Sequence, residues 1–169
     1  MTTETPVTLD RLDRDIVALF AAQPRIGVLE ASRRLRVARG TVQARLDRME
    51  RTGVVTGWGP DISPVAIGYG VTAFVTIQIA QHSGREALTR RLEDIPEVLE
   101  CWTITGSGDL WCRIVAHSNA DLQRVIDQIV GYEGIVRSST IVALAELIPY
   151  RVMPLVQTAA KRIDTGRST

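Results

Sequence analysis

Apolar residues recur at intervals of three and four residues through the first third of the chain, which is the spacing of one face of an α-helix. This spacing predicts three helices, over Leu9–Ala22, Val28–Leu35 and Thr41–Gly53. Only residues 36–38 separate the second helix from the third, and so short a connection between two compact helices is typical of a helix-turn-helix. We therefore predict a small trihelical domain, in which the first helix packs its apolar face against the other two.

The third predicted helix has one apolar face and one face of arginine and short polar side chains. Val42, Leu46 and Met49 lie four and three residues apart, so they share the apolar face. Guanidinium groups suit phosphates and guanine edges, and short polar side chains allow close approach to a groove. We interpret the second face as DNA-binding, with the contacting residues Arg39, Thr41, Gln43, Ala44, Arg45 and Arg48. The alternative is an amphipathic helical hairpin whose arginines are only solvated.

The period of the apolar positions changes to two at Val71, which indicates a strand. From there the pattern predicts, in order, strand Val71–Ile79, helix Arg85–Ile95, strands Val98–Thr105 and Leu110–Ala116, a helix from Ser118 or Asn119 to Gly131, and strand Val136–Leu144. This βαββαβ order predicts a ferredoxin-like domain, in which two helices cover one face of a four-stranded antiparallel sheet. We predict the fold class α+β. The second face of the first strand suits sheet-to-sheet dimerisation because it mixes polar and apolar side chains: Thr72, Phe74, Thr76 and Gln78.

The sign of the net charge changes along the chain, although the total is only +1. Residues 25–51 hold eight arginines and three acidic residues, a net charge of +5. Residues 61–150 hold six arginines and eleven acidic residues, a net charge of −5. This asymmetry indicates a first part that binds a polyanion and a second part with another task. No apolar run reaches the roughly 18 residues of a membrane span, and Met1–Thr8 lacks the features of a signal peptide, so we expect a cytoplasmic, nucleoid-associated protein that contacts no membrane.

The remaining residues with possible chemistry give weaker signals. Cys101 and Cys112 are too few for a secreted disulfide framework and lack the spacing of metal ligands. They could face each other across a hairpin, but we interpret them as reduced packing cysteines. Trp58, in the connection after the third helix, is predicted to pack against a partner subunit or the second domain. We predict no metal site and no cofactor.

The order of these elements resembles the Lrp/AsnC, or feast/famine, family of bacterial and archaeal transcription regulators. The resemblance runs from about Leu9 to Tyr150. Its most specific pieces are Leu9-Asp10-x-x-Asp13-x-x-Ile16, Arg25-Ile26, Arg45-x-x-Arg48-Met49-Glu50-x-x-Gly53-Val54-Val55-x-Gly57 and Thr105-Gly106-x-x-Asp109. The family usually has Gly at the bend before the third helix and Ser as its cap, where this chain has Arg36 and Ala38. We expect Arg36 to cost about 1 kcal/mol if its backbone is left-handed, and Ala38 to forgo a cap worth about 1 kcal/mol.

The resemblance also implies how the chain is divided and assembled. Residues 1–53 would be the helix-turn-helix DNA-binding domain, of the winged or plain type, and residues 54–68 an extended linker. Residues 69–150 would be the ferredoxin-like ligand-binding and oligomerisation domain, and residues 151–169 a C-terminal tail, disordered over Gly166–Thr169. Such subunits form a homodimer, commonly assembled into tetramers or octamers, and their two-fold symmetry implies a roughly palindromic operator in double-stranded DNA.

A small-molecule effector, usually an amino acid, is implied between the second domains of neighbouring subunits. On this chain its contacts would be Thr103, Thr105, Gly106, Ser107, Gly108, Asp109, Ser138 and Thr140. In this interpretation the backbone amides of Gly106–Asp109 hold a carboxylate and the Asp109 side chain holds an ammonium. The alternative is that Gly106 and Gly108 only serve the turn. Ser107 and Leu110 stand where the family usually has an acid and an aromatic residue.

Two other functions remain open at this point. Proteins of the same architecture that decarboxylate sirohaem also resemble this family, but that chemistry depends on histidine. This chain has only His82, in a predicted loop, and His117, at a predicted strand end. We interpret each as a lone surface histidine, and we predict a regulator and not an enzyme. The other alternative is a sequence-tolerant architectural DNA-binding protein without a ligand.

Overall fold

The computed structural model describes residues 7–80 and 84–166, with side chains as far as Ala159. His82 therefore lies outside the described residues. The chain forms two compact units, of which one runs to Pro60 and resumes at Pro149, and the other is Asp61–Ile148. Within the described ranges, no helix is both long enough and apolar enough to cross a membrane.

Three helices form the core of the first unit, as predicted: α1 (Arg11–Ala22), α2 (Val28–Leu35) and α3 (Arg39–Arg51). They pack around one set of fully buried side chains: Ile16, Ala31, Val42 and Met49. Full burial of an Ile, Val or Met side chain contributes about 1.5–3 kcal/mol. The predicted trihelical arrangement is therefore confirmed.

Helix α1 begins two residues later than predicted, because Asp10 is its N-cap. The Asp10 carboxylate accepts the Asp13 N–H at 2.9 Å, and the Asp13 carboxylate accepts the Asp10 N–H at 3.0 Å. This reciprocal capping box satisfies two of the amide groups that the first turn of a helix leaves unpaired.

The bend between α2 and α3 has both of the weaknesses that the departures from the family pattern imply. Arg36 has left-handed backbone angles, φ 56° and ψ 42°, where an L-residue with a Cβ is strained. Ala38 is the N-cap of α3 and makes no side-chain hydrogen bond there. Helix α3 nevertheless begins at Arg39, two residues before the predicted start. Its end agrees with the prediction, since Gly53 follows it with φ 70°.

The second unit contains, in chain order, β1 (Val71–Ile79), α4 (Arg85–Glu93), β2 (Val98–Thr103), β3 (Leu110–Ala116), α5 (Asn119–Val130) and β4 (Ile135–Val142). The strands form one antiparallel sheet in the order β2-β3-β1-β4. This is the predicted βαββαβ arrangement. A single turn of 3-10 helix, Val65–Ile67, lies before β1, inside the segment predicted as an extended linker.

Helices α4 and α5 cover one face of the sheet and leave the other open. On the covered face, Val75 and Ile77 of β1 pack with Leu88 of α4 and Val125 of α5, and all four are buried. On the open face, Phe74 and Trp111 stack with ring centroids 5.1 Å apart. We call Phe74, Trp102 and Trp111 the aromatic patch, because Trp102 lies opposite Trp111 in the register and is 59% exposed.

A sixth helix, α6 (Met153–Gly166), occupies most of the segment that we predicted to be a tail. It belongs to the first unit, where Val156 packs against the core of α1, α2 and α3. The description of 151–169 as a tail is therefore corrected, because the segment from Met153 is helical and its Val156 side chain packs on that core. Gly166 is the last residue of α6, and residues 167–169 of the predicted disordered end lie outside the described residues.

Trp58 packs against two helices of the first unit, and its predicted contact with a partner subunit or the second domain stays a prediction. Its ring meets Phe20 of α1 edge to face, with centroids 5.3 Å apart and planes at 69°. Its Nε1–H donates to the Glu50 carboxylate of α3. An indole has one polar N–H and a large apolar body; here α3 accepts the N–H and α1 contacts the ring, while half of the Trp58 surface stays exposed.

Candidate DNA-binding surface and effector hairpin

The N-terminal half of α3 presents an exposed surface opposite its core-facing residues. Four of the residues predicted to contact DNA are exposed there: Arg39, Thr41, Gln43 and Ala44. Val42, Leu46 and Met49 are buried on the other side of the helix. The predicted division of α3 into an apolar face and a polar face is therefore confirmed.

Short side chains and an uncapped backbone make the start of α3 accessible. Ala38 supplies no cap, and the next residue but one is Gly40, around which there is open space. The amide groups of a first helical turn carry partial positive charge and attract anions such as phosphate. Gln43 is held in place on the exposed face, since its amide donates to Asp47 at 2.7 Å.

The other two predicted DNA-contacting residues, Arg45 and Arg48, are tied to α1. Arg45 Nη1 donates to Asp10 Oδ2 at 2.5 Å and to Asp13 Oδ1 at 3.0 Å. Arg48 Nη2 donates to Asp13 Oδ2 at 2.5 Å. We call these four residues the Asp13 network.

Asp13 is the centre of this network because it is buried. Its side chain is 1% exposed, whereas those of Arg45 and Arg48 are 32% and 35% exposed. A buried carboxylate without partners is strongly unfavourable, so the two guanidinium groups are needed where they are. The network carries two positive and two negative charges, and it therefore adds no net charge to the exposed face of α3.

The electrostatics of Asp10 follow from the same contacts. Partial burial alone would raise the pKa of this carboxyl, but the hydrogen bonds from the Asp13 N–H and from Arg45 outweigh it. The pKa of Asp10 is consequently lowered below its ordinary value. Asp10 is thus ionised at neutral pH and serves α1 as a cap and Arg45 as an acceptor.

Asp13 stands in a motif that carries the family resemblance, but its structural role was not predicted, although the sequence contained a signal. Leu9, Asp13, Ile16 and Phe20 are spaced by four, three and four residues, so an acidic residue lies within the apolar stripe of α1. An ionised group in such a stripe requires a partner. Its partners are 32 and 35 residues away along the chain, which periodicity alone does not reveal.

In the second unit, Asp109 holds the β2–β3 hairpin against β1. Its N–H donates to Ile77 O at 2.8 Å, and its Oδ2 accepts the Ile79 N–H at 2.8 Å. The predicted contact of the Asp109 N–H with a ligand carboxylate is therefore wrong, because this N–H already has an acceptor. The second carboxylate oxygen is the part of Asp109 left for a ligand ammonium.

The two glycines of the hairpin have different structural roles. Gly106 has φ 112°, a backbone conformation that favours glycine. A Cβ on Gly108 would overlap the methyl group of Thr76 and approach Ile77 O to 3.2 Å. Both residues thus serve the turn and its packing, and their contact with a ligand stays a prediction. Thr105, Gly106 and Ser107 at the tip are exposed.

The predicted effector contacts are not all brought together within one subunit. Thr103 lies on β2 and Ser138 and Thr140 lie on β4, which are the two edges of the sheet. Strands β3 and β1 separate these edges, so the distance across three strand spacings is about 14 Å. A small ligand that contacts both edges would require a second subunit.

Comparisons with known proteins agree with this architecture. Residues 9–56 match the family described as winged helix-turn-helix DNA-binding, and residues 72–153 match the family described as Lrp/AsnC ligand binding domain. An HTH-type transcriptional regulator of Pyrococcus abyssi is 30% identical over 135 residues, which are 79% of this chain and 85% of that protein. This chain belongs to the Lrp/AsnC family. It is a transcriptional regulator of the Lrp/AsnC type, and the predicted resemblance is confirmed.

Other Lrp/AsnC proteins extend the match to nearly the whole chain. Regulatory protein AsnC of Escherichia coli is 28% identical over 147 residues, 86% of this chain and 97% of AsnC. The solved structure of E. coli AsnC covers 88% of this chain and 100% of that chain, with a TM-score of 0.80 and 27% identity. A feast or famine regulatory protein from M. tuberculosis, solved in complex with L-methionine, covers 85% and 97%, with a TM-score of 0.75 and 29% identity. The predicted α+β fold class is confirmed.

Proposed function

We propose that this Lrp/AsnC protein binds double-stranded DNA through the exposed N-terminal half of α3. The observation that carries the proposal is the exposure of Arg39, Thr41, Gln43 and Ala44 opposite the buried stripe of the same helix. The match of residues 9–56 to a DNA-binding family supports it. A helix presented in this way enters the major groove with its N-terminal residues against base edges.

Each residue of this surface has a distinct role in the proposal. Arg39 contacts a phosphate or a guanine edge, Thr41 and Gln43 read neighbouring bases, and Ala44 allows close approach to a thymine methyl group. Arg45 and Arg48 hold α3 on α1 through the Asp13 network. They contact the DNA backbone only through the guanidinium N–H groups that are not bonded to Asp10 or Asp13.

The salt dependence of binding tests the role of Arg39. Each phosphate contact that is lost lowers the slope of log K against log salt by about one. We expect Arg39→Met to lower the affinity for an operator selected from random DNA and to make this slope less steep by about one. Arg90→Met, which removes the same charge from an exposed position of α4, is the control and should change neither. An unchanged slope in Arg39→Met would count against α3 as the DNA-binding element.

The aromatic patch supports a proposal of dimerisation through the open face of the sheet. Trp102 exposes 59% of its surface next to the stacked rings of Phe74 and Trp111, and such exposed apolar surface marks an interaction site. A symmetric dimer would bind a roughly palindromic operator, and further association would give tetramers or octamers.

Sedimentation velocity tests the aromatic patch. Trp102→Ser should weaken subunit association, whereas Trp102→Phe, which keeps an aromatic ring, should retain it. Equal association of both variants and the parent protein would place the subunit interface elsewhere.

We also propose that an amino acid binds at the β2–β3 hairpin and modulates DNA affinity or assembly. The match of residues 72–153 to a ligand-binding family supports this, as does the relative that was solved with L-methionine. The exposed tip, Thr105 to Ser107, and the free oxygen of Asp109 would be contributed by one subunit. Ser138 and Thr140 would come from a neighbouring subunit, so that the ligand favours one assembly over another.

Asp109→Asn separates a ligand role of this residue from its structural role. An asparagine oxygen can still accept the Ile79 N–H, but the amide carries no charge to hold an ammonium. Calorimetry with the twenty amino acids should detect binding to the parent protein and at least tenfold weaker binding to Asp109→Asn. No heat with any amino acid, together with an unchanged oligomer size, would argue against the effector site.

The enzyme and ligand-free alternatives are not favoured. Among the described residues, His117 is engaged in packing, since its Nδ1 lies 2.9 Å from Gly68 O and its ring stacks on Tyr69 with centroids 4.0 Å apart. The relatives bear the names of regulators rather than of enzymes. Tetrapyrrole absorbance in the purified protein would reverse this preference.

A further inference from the structure

Cys101 and Cys112 are directly opposite each other on neighbouring strands, which the sequence left open. Cys101 lies on the edge strand β2 and Cys112 on β3, and the two are register partners. Opposite residues of an antiparallel pair project to the same face of the sheet. Cys112 is fully buried in the core, whereas Cys101 is exposed. One thiol is therefore open to reagents and the other is shielded directly behind it.

The position of the pair in the hydrogen-bond ladder suits a disulfide. Ile104 N–H donates to Asp109 O at 3.0 Å, so these residues occupy a hydrogen-bonded position of the ladder, although the Asp109 N–H itself donates to Ile77 O. Hydrogen-bonded and non-hydrogen-bonded pairs alternate, which makes the cysteine pair, three positions further, non-hydrogen-bonded. The Cα atoms of such a pair are about 4.5 Å apart, within the range of about 4.4–6.8 Å that a disulfide spans.

We propose that Cys101 and Cys112 form a redox-active dithiol, which small-molecule disulfides convert into a cross-strand disulfide. Cys101 is the attacking thiol and Cys112 is the resolving thiol. This modification site is separate from the DNA-binding and effector proposals. The resulting bond would close the base of the β2–β3 hairpin covalently.

The reaction balances as two successive thiol–disulfide exchanges. The Cys101 thiolate attacks one sulfur of the small disulfide, whose S–S bond breaks and releases one small thiolate. Cys112 then loses its proton to solvent and attacks the Cys101 sulfur of the mixed disulfide, which releases the second small thiolate. The two protein thiols are oxidised, and one small disulfide is reduced to two small thiols.

The surroundings of the two sulfur atoms assign these roles. The neighbouring Cys112 thiol lowers the pKa of Cys101 to about 7, against the effect of burial. The same interaction and burial raise the pKa of Cys112. Cys101 is therefore substantially thiolate at neutral pH, and the thiolate is the nucleophile. Once Cys101 is a neutral mixed disulfide, the largest cause of the raised Cys112 pKa is gone, and Cys112 deprotonates more easily.

Mass spectrometry of the whole protein treated with oxidised glutathione tests the proposal. The reduced chain is incubated in native buffer, alkylated and digested with trypsin. Cleavage after Arg91 and Arg113 gives one peptide with both cysteines, so the internal disulfide appears as the loss of two hydrogens. We expect a glutathione adduct that decays as the internal disulfide accumulates, and a rate that falls severalfold when the pH is lowered from 8 to 6.

Two variants separate the roles of the cysteines. In Cys112→Ala, glutathione should stay on Cys101 as a stable adduct. In Cys101→Ala, the buried Cys112 should remain unmodified, and circular dichroism checks that both variants are folded. If the parent protein stops at the mixed disulfide, cross-links between subunits instead, or shows no reaction, the proposal is wrong. The parent protein alone decides this outcome even if a variant fails to fold.

Discussion

The Asp13 network predicts that Arg48 stabilises the protein in the absence of DNA. Arg48→Met keeps much of the side-chain length but removes the hydrogen bond to Asp13 Oδ2. Hydrogen bonds to charged groups contribute about 1.5–3 kcal/mol. Since the Arg48 side chain is 35% exposed, hydrogen bonds to water replace part of this contribution. We expect the free energy of unfolding to fall by about 2 kcal/mol.

A double-mutant cycle with Asp13 isolates the contact. Asp13→Asn removes a buried charge on which Asp10 N–H, Arg45 and Arg48 all converge, so we expect a loss of about 2–4 kcal/mol. Once residue 13 is neutral, replacing Arg48 should lower the free energy of unfolding only slightly. The double variant should therefore fall short of additivity by about 1.5 kcal/mol.

Urea unfolding without DNA, monitored by circular dichroism, gives the free energy of unfolding of the parent protein, the two single variants and the double variant. All four are measured at the same protein concentration. Arg39→Met is the matched control, because Arg39 is exposed on the same helix, and it should change stability by less than about 0.5 kcal/mol. If Arg48→Met is as harmless as Arg39→Met, or costs as much in the Asp13→Asn background as in the parent protein, the network does not stabilise the fold.

Three further predictions concern single positions. Arg36→Gly relieves a left-handed arginine, and after the entropy of the added glycine we expect a gain of about 0.5–1 kcal/mol in urea unfolding. Asp10→Asn should flatten the acid limb of the curve of unfolding free energy against pH. The lowered pKa of Asp10 in the folded state stabilises the fold above the unfolded-state pKa of about 3.9. That contribution is lost as the pH falls through the folded-state pKa. Gly108→Ala should cost about 1–3 kcal/mol in thermal unfolding, because its methyl group would press on Thr76 and on the β1 backbone.

The sequence predicts the elements of the fold well because their signals are local. A period of three to four residues marks α1, α2 and α3, and a period of two marks β1. The resemblance to the family, and not the residues themselves, drew attention to Arg36 and Ala38, where the family usually has Gly and Ser. Boundaries moved by about two residues where a cap decided them, as Asp10 does for α1.

The parts that the sequence did not predict depend on contacts between distant residues. The ion pair of Arg48 with Asp13 was not predicted because the two residues are 35 positions apart, and the contact of Arg48 with DNA stays a prediction. The hydrogen bond from Ile79 N–H to the Asp109 carboxylate spans 30 residues. The structural role of that carboxylate was therefore not predicted, although a ligand contact was. The contact of Trp58 with Phe20 was likewise not predicted, because Phe20 lies on a separate helix.

Helix α6 makes the second unit an insertion within the first. The ribosome adds Met153 only after all of Asp61–Ile148 has been made. The three nascent helices therefore lack Val156, which covers part of their shared core, until the whole of the second unit has been made. The second unit is also attached to the first by two covalent connections instead of one, so a force on the inserted unit can pass along the backbone at both of its ends.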